Sequence, residues 1–172
     1  MKSLEKLLEH SIICQAKVIA AFYPMVNEPD ITSALKIWAS ENRLLLPRSL
    51  SFSQMDFFQV NSLESDLQKG KFGIMEPKET LPKYQGEIPV FLVPGTKFSL
   101  DGARYGHGMG YYDRFLAKYP HSFKIGICYL EQVSETPLQV KPHDVFMNEI
   151  IIFETEGKVR DTIILKDEPD VG

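Results

Sequence analysis

The chain has 172 residues, a formal charge of −4 and an isoelectric point near 5.6. That length suits one domain with a substantial core. The charge excludes a general attraction to nucleic acid or to an anionic membrane surface, so any anion site must be built locally. No apolar run of about 18 residues and no charged-then-apolar leader occurs, so the expected address is the cytoplasm and the expected state a monomer. Cys14 and Cys128 lie far apart without metal-ligand spacing, which predicts two buried free thiols.

Leu4, Leu7, Leu8, Ile12 and Ile13 recur at helical spacing and predict one amphipathic helix over 3–14. Residues 17–23 read as a buried strand. After a loop at 24–29, Ile31, Leu35, Ile37 and Trp38 predict a helix ending near Asn42, followed by a strand at 43–47. This alternation predicts an α/β domain whose mostly parallel sheet carries helices on both faces. The middle of the chain predicts a strand over 55–60, a short helix over 62–68 and a loop over 70–86 rich in Gly, Pro and charge. Strands are predicted at 88–93, 123–129, 149–153 and 159–165, with a helix over 111–119 and a frayed tail at 167–172. Ligands of open parallel sheets gather beyond the carboxyl ends of the strands, so the loops after Tyr23, Val93 and Tyr129 are expected to share one cleft.

The segment 93–114 carries the densest chemistry. Gly106, Gly108 and Gly110 alternate between an apolar strand and a helix start. Such glycines let backbone N–H groups approach a ligand, and a helix start favours negative charge, so a phosphate is expected there. The spacing matches neither the dinucleotide G-x-G-x-x-G nor the P-loop. Arg104, Lys97 and Arg114 are the nearby cations, and Asp113 falls on the first helical turn. In the loop after Tyr23, Met25 is joined by Glu28 and Asp30, either of which could simply cap the next helix.

Val93, Pro94, Gly95, Phe98, Gly102, Arg104, Gly106, Gly108, Gly110, Tyr111, Tyr112 and Asp113 occur in the order V-P-G-x-x-F-D-x-x-G-x-R-L-G-x-G-x-G-Y-Y-D. That pattern resembles the signature of the 5-formyltetrahydrofolate cyclo-ligase family, and the likeness extends from about Lys17 to Phe153. The resemblance implies a NagB-RpiA-CoA-transferase-like architecture. It implies ATP- and Mg²⁺-dependent closure of 5-formyltetrahydrofolate to 5,10-methenyltetrahydrofolate, with ATP as co-substrate. Arg104 and Tyr111 are then expected to be catalytic. The nucleotide is expected against Arg104, Tyr105, Gly106, His107, Gly108, Met109, Gly110, Tyr111 and Tyr112. The folate is expected against Met25, Asp30 first and Glu28 second, together with His107, Gly108, Met109, Gly110 and Tyr111. Asp113 and Asp144, the latter in Lys141-Pro142-His143-Asp144, are the expected Mg²⁺ ligands, since this hard cation takes one or two carboxylates plus phosphate oxygens and water. Gln132 and the block Gly73-Ile74-Met75-Glu76-Pro77 also match family positions.

The chain departs from the pattern at three places. Relatives usually begin with an additional basic helix that reaches the nucleotide phosphates. Here Lys2 and Lys6 share a helix face but correspond to the next helix, so a single domain without that basic helix is expected. His107 stands where Arg is frequent and Met109 where Gly or Lys is frequent, which leaves the cradle less positive. Ser99 replaces the Asp of the F-D pair, with Asp101 two residues on. Two other readings stay open from sequence: a weakened folate- or nucleotide-binding paralogue, and an ATP-dependent enzyme acting on another heterocycle.

Overall fold

The computed structural model describes residues 2–51, 54–70, 73–108, 110–154 and 159–164. Helices α1 (Lys2–Glu9), α2 (Ser11–Gln15) and α3 (Thr32–Ser40) are joined by the short strand β1 (Ile19–Ala20). The hairpin of β2 (Leu44–Ser51) and β3 (Gln54–Gln59) follows, then a smaller hairpin of β4 (Leu67–Lys69) and β5 (Met75–Pro77). Strand β6 (Val90–Val93) leads to a third hairpin, β7 (Lys97–Ser99) with β8 (Arg104–Tyr105), and to α4 (Tyr111–Leu116). The chain continues through β9 (Phe123–Tyr129), β10 (Val133–Ser134), β11 (Glu149–Phe153) and β12 (Val159–Ile164).

The main sheet has seven strands in the order β12-β11-β9-β6-β1-β2-β3. Its inner pairs, β2–β1, β1–β6, β6–β9 and β9–β11, are parallel, and only the edge pairs β2–β3 and β11–β12 are antiparallel. All of β6 is buried, as expected for a parallel strand covered on both faces. On one face Leu7, Ile13, Leu35 and Trp38 of the first three helices pack on Ile19, Leu44 and Leu92. On the other, Phe57, Phe91 and Phe115 cluster, with Tyr119 stacked on Phe115 at 5.4 Å and edge-on to Phe91 at 5.6 Å. This aromatic cluster anchors α4 to the sheet and so fixes the end of the glycine segment.

Five local expectations are corrected. The first helix breaks at His10, whose extended backbone caps α2 while its Nδ1 accepts from Ile12 N–H at 3.2 Å. Its Nε2 meets the buried Glu149 carboxylate at 2.9 Å, a partner 139 residues away that helical periodicity cannot reveal. The stretch 62–66 is a turn rather than a helix, because Asp66 accepts from Asn61 and Ser62 N–H and so competes with helical bonding. The loop expected over 70–86 contains β5, and the glycine segment contains the β7–β8 hairpin. Cys14 is exposed, whereas Cys128 is buried. The tail at 167–172 lies outside the described residues.

The end of α3 is closed by Asn42, which takes φ 60° while Arg43 N–H bonds back to the Trp38 carbonyl at 2.9 Å. The Arg43 guanidinium then donates to the carbonyls of Ile13 in α2 and of Ala16 just past it, tying the helical layer together. His10→Ala should lower stability by about 1–3 kcal/mol in urea denaturation, since the buried Glu149 loses a donor. An unchanged midpoint would show that this pair holds nothing.

Candidate active site

Three loops meet at the carboxyl ends of β1, β6 and β9. Met25, Asn27 and Glu28 follow β1, Gly95 and Thr96 follow β6, and Gln132 follows β9. With His107 of the glycine turn they line a pocket of about 220 Å³. The shared cleft expected from the order of elements is therefore present. Its volume lies below the usual range for drug-sized ligands, so it suits one ring system rather than a whole folate or nucleotide.

Side chains brace this edge where the sheet ladder stops. Gln132 Nε2 donates to the Gly95 and Thr96 carbonyls at 2.8 and 3.3 Å, and its Oε1 accepts from Tyr129 N–H at 2.8 Å. The Tyr129 hydroxyl donates to the Glu28 carbonyl at 3.3 Å. The Arg104 guanidinium donates to the Pro94 carbonyl at 2.6 Å. Asn27, Gly95 and Thr96 were not expected to line the pocket; the signal for them was only their position just past a strand end.

Glu28 and Asp30 differ sharply. Glu28 is 8% exposed, lines the pocket and accepts from Met25 N–H at 2.8 Å. Burial raises its pKa, while the Met25 bond and the charge of His107 pull it back. Asp30 is exposed and accepts from Thr32 N–H and Oγ1 at 3.0 and 2.7 Å, so it closes the first turn of α3. Of the two candidate carboxylates, Glu28 lines the pocket and Asp30 is engaged with Thr32.

In the glycine segment, Gly108 and Gly110 take φ of 93° and 72°, a region that disfavours any side chain. The Gly106 carbonyl accepts from the Thr96 hydroxyl at 3.2 Å. Tyr105 turns away and donates to the Gln139 carbonyl at 2.9 Å. Tyr111 donates to the Ser51 carbonyl at 3.3 Å, linking α4 to β2. Met109 lies outside the described residues. Helix α4 has only six residues, so a helix dipole adds less here than the sequence reading expects. Ser99 and Asp101 form one device: the hydroxyl donates to Asp101 at 2.6 Å, and Asp101 also accepts from Ala103 N–H at 3.2 Å. They set the β7–β8 turn.

Behind the glycines, Arg104 is 5% exposed, with its Cζ 5.3 Å from the centre of the Tyr112 ring. Burial lowers its pKa, and the neighbouring Asp113, Tyr112 and Asp144 raise it again. Burial also pushes the Tyr112 phenol well above its ordinary range. Arg104 Nε and the Tyr112 hydroxyl are buried without a hydrogen-bond partner among the described residues. Asp113 Oδ1 accepts from Val145 N–H at 3.1 Å. Val145 follows Asp144 in the chain, and both Asp113 and Asp144 lie within electrostatic reach of Arg104. Asp144 Oδ2 accepts from Lys141 N–H at 3.0 Å, and the exposed His143 lies 3.7 Å from its Oδ1. The donor set fits Mg²⁺, which takes carboxylates and completes its shell with phosphate and water. No group of three or more potential metal ligands forms among the described residues.

A family model described as the 5-formyltetrahydrofolate cyclo-ligase family matches residues 2–153. The chain belongs to that family. It is 29% identical over 176 residues to the probable 5-formyltetrahydrofolate cyclo-ligase of Caenorhabditis elegans, covering 92% of this chain and 83% of the relative. The match to the Schizosaccharomyces pombe protein of the same description is 31% identical and covers 52% of this chain and 50% of the relative. That to the Saccharomyces cerevisiae 5-formyltetrahydrofolate cyclo-ligase is 32% identical and covers 65% and 57%. The chain thus spans about half the length of the two yeast relatives where they match. The NMR structure of Aquifex aeolicus 5,10-methenyltetrahydrofolate synthetase superposes with a TM-score of 0.77 at 28% identity, covering 99% of this chain and 83% of that one. The corresponding Mycoplasma pneumoniae synthetase gives 0.65 at 25% identity, covering 88% and 81%. The cyclo-ligase fold, an α/β domain on a mostly parallel sheet, is common to all three structures. No helix among the described residues is long and apolar enough to cross a membrane.

Because the folded Glu28 pKa is raised, the carboxyl is neutral in both folded and unfolded states well below pH 4.5 and adds no penalty there. As pH rises through the raised folded value, ionisation in the buried site costs stability. Urea denaturation from pH 4 to 8 should therefore find Glu28→Gln increasingly more stable than the parent as pH rises. A constant difference would remove Glu28 as the cause.

Proposed function

We propose that this chain closes 5-formyltetrahydrofolate to 5,10-methenyltetrahydrofolate, consuming ATP with Mg²⁺ and releasing ADP and phosphate. The observation that carries this reading is a pocket holding the buried Glu28 and walled by His107 of the glycine turn at the carboxyl ends of the parallel strands. Folate and ATP are its partners.

The chemistry asks for alignment above all. The formamide carbon of the substrate is a weak electrophile and its oxygen a poor leaving group. The formyl oxygen attacks the γ-phosphorus, and ADP leaves. The N-10 nitrogen then attacks the formyl carbon, the carbon–oxygen bond breaks with loss of phosphate, and the N-10 proton passes to water. No covalent bond to the protein is needed. Holding the two reactants in one orientation can supply several kcal/mol of such a barrier, on the order of 7–11 in favourable cases.

Met25 offers a soft apolar surface to the flat pterin. Ionised Glu28 accepts from ring N–H groups, its two oxygens suiting adjacent donors. The backbone amides of Gly106, His107, Gly108 and Gly110 and the His107 ring are assigned to the phosphates, and Tyr111 to the space between the two ligands. Arg104 acts from behind the turn as buried positive charge, its fork partly committed to Pro94. Asp113 and Asp144 would hold Mg²⁺, which would supply positive charge to neutralise the phosphates.

Mixing the protein with 5-formyltetrahydrofolate, ATP and Mg²⁺ should generate the near-ultraviolet absorbance of methenyltetrahydrofolate, and chelation of the metal should stop it. Silence in this assay would sink the proposal. Asp113→Asn should lower kcat by about 10²-fold, as expected for removal of a preorganised charge. In Glu28→Gln, KM for the folate should rise and lose its pH dependence. In the parent that KM should climb as pH falls through the raised pKa of Glu28, because the protonated carboxyl accepts fewer N–H bonds.

A further inference from the structure

The pocket is too small for the whole substrate, so the rest of the folate must continue out of it. On the β9 side the way is crossed by the Tyr129–Glu28 and Gln132–Gly95 hydrogen bonds. On the other side β1 is neighboured in the sheet by β2, whose last residue, Ser51, accepts from the Tyr111 hydroxyl. β1 pairs with β2 in the register Ile19 with Leu44 and Ala20 with Leu45, and Ala21 N–H continues it to the Leu45 carbonyl. Extending that register brings Arg48 level with Tyr23, just before Met25.

Arg48 is unusual among the charged groups of this fold. Its guanidinium lies 4.3 Å from the centre of the Phe58 ring, its Nε is buried, and it makes no hydrogen bond or ion pair among the described residues. A carboxylate is nevertheless close at hand, because Asp56 stands directly across the β2–β3 ladder from it. Asp56 pairs instead with Lys83 at 3.5 Å. An unpaired, half-buried guanidinium laid flat on an aromatic face is held in shape with its planar fork uncommitted. Its natural guest is a carboxylate, which it can bind through two parallel N–H bonds.

We infer that Arg48, steadied by Phe58, is the docking point for the glutamate carboxylates at the far end of the folate. This rests on the proposed folate reaction. The residue touches no reacting atom; it selects substrates that carry an anionic tail. It also compensates for the net negative charge of the chain, which otherwise repels such a tail.

The test compares 5-formyltetrahydrofolate with 5-formyltetrahydropteroate, which has the same rings and no glutamate. The parent protein should favour the tail-bearing substrate in kcat/KM, and the preference should weaken with added salt. Arg48→Ala should cut that preference about tenfold through KM, the size expected for a hydrogen bond to a charged partner. Arg48→Lys should recover part of it by restoring charge without the fork. Phe58→Leu should lower it by loosening the guanidinium, and thermal melts of each variant check that the fold persists. A preference that is the same in the parent and in Arg48→Ala overturns the inference while leaving the reaction intact. Absence of turnover and of calorimetric binding with either substrate in the parent overturns the reaction, and the inference with it.

Discussion

Past Val93 the buried strand β6 has no neighbour to continue its ladder, yet its chain must still cross the top of the sheet. The carbonyls of Pro94, Gly95 and Thr96 are taken up by side chains that arrive from elsewhere: Arg104 for the first and Gln132 for the other two. A buried carbonyl without a partner costs on the order of 1–3 kcal/mol, so these bonds are conditions for the segment lying where it does. They also make it a junction. Gln132 ties it to the end of β9, Arg104 ties it to the glycine turn, and through Tyr129 the same network reaches the Glu28 loop. Move this segment and the pocket, the turn and the carboxylate pair lose their common reference.

The electrostatics follow from that anchoring. The chain carries a net negative charge, and its acidic groups near the turn and in the pocket sit in different surroundings. Asp113 takes the Val145 amide, and both Asp113 and Asp144 lie within electrostatic reach of the buried Arg104. Glu28 is isolated from them in the pocket, where burial opposes its ionisation and the facing His107 favours it. His107 also softens the departure noted in the glycine turn. It lacks the fixed charge of Arg, but it belongs to the turn and also lines the pocket, so one side chain joins the two.

The parts of this arrangement that could be read from sequence are those governed by local periodicity. The strands at 123–129 and 149–153 fall where their apolar runs place them, because a strand buried on both faces leaves an uninterrupted apolar signal. The convergence of three loops also follows from element order alone. What could not be read depends on partners distant in sequence. The break at His10 is made by Glu149, and the role of Gln132 is made by Gly95 and Thr96. The β7–β8 hairpin was hidden because glycines and a basic residue look like a loop until Ser99 and Asp101 are seen to form its turn. Glu28 and Asp30 are indistinguishable as residues two apart before a helix. Only the turn at Met25–Glu28, with its backbone bond at 3.0 Å, folds one inward and leaves the other to cap.

Arg104 shows why a motif residue and its chemical task need separate arguments. In a sequence motif an arginine beside glycines reads as a fork reaching for phosphate. In the fold one arm of that fork holds the Pro94 carbonyl, its Nε is enclosed, and the planar group lies beside the Tyr112 ring under the turn. A Cβ added at Gly106 would come within 3.3 Å of its guanidinium, so the glycine is small in order to make room for arginine as much as for a ligand. A charge so placed changes little on binding, and a preorganised charge that needs no rearrangement is the kind that lowers a barrier most effectively. The glycine turn therefore has two working faces. The outer one offers backbone donors, and the inner one keeps a fixed positive charge close behind them.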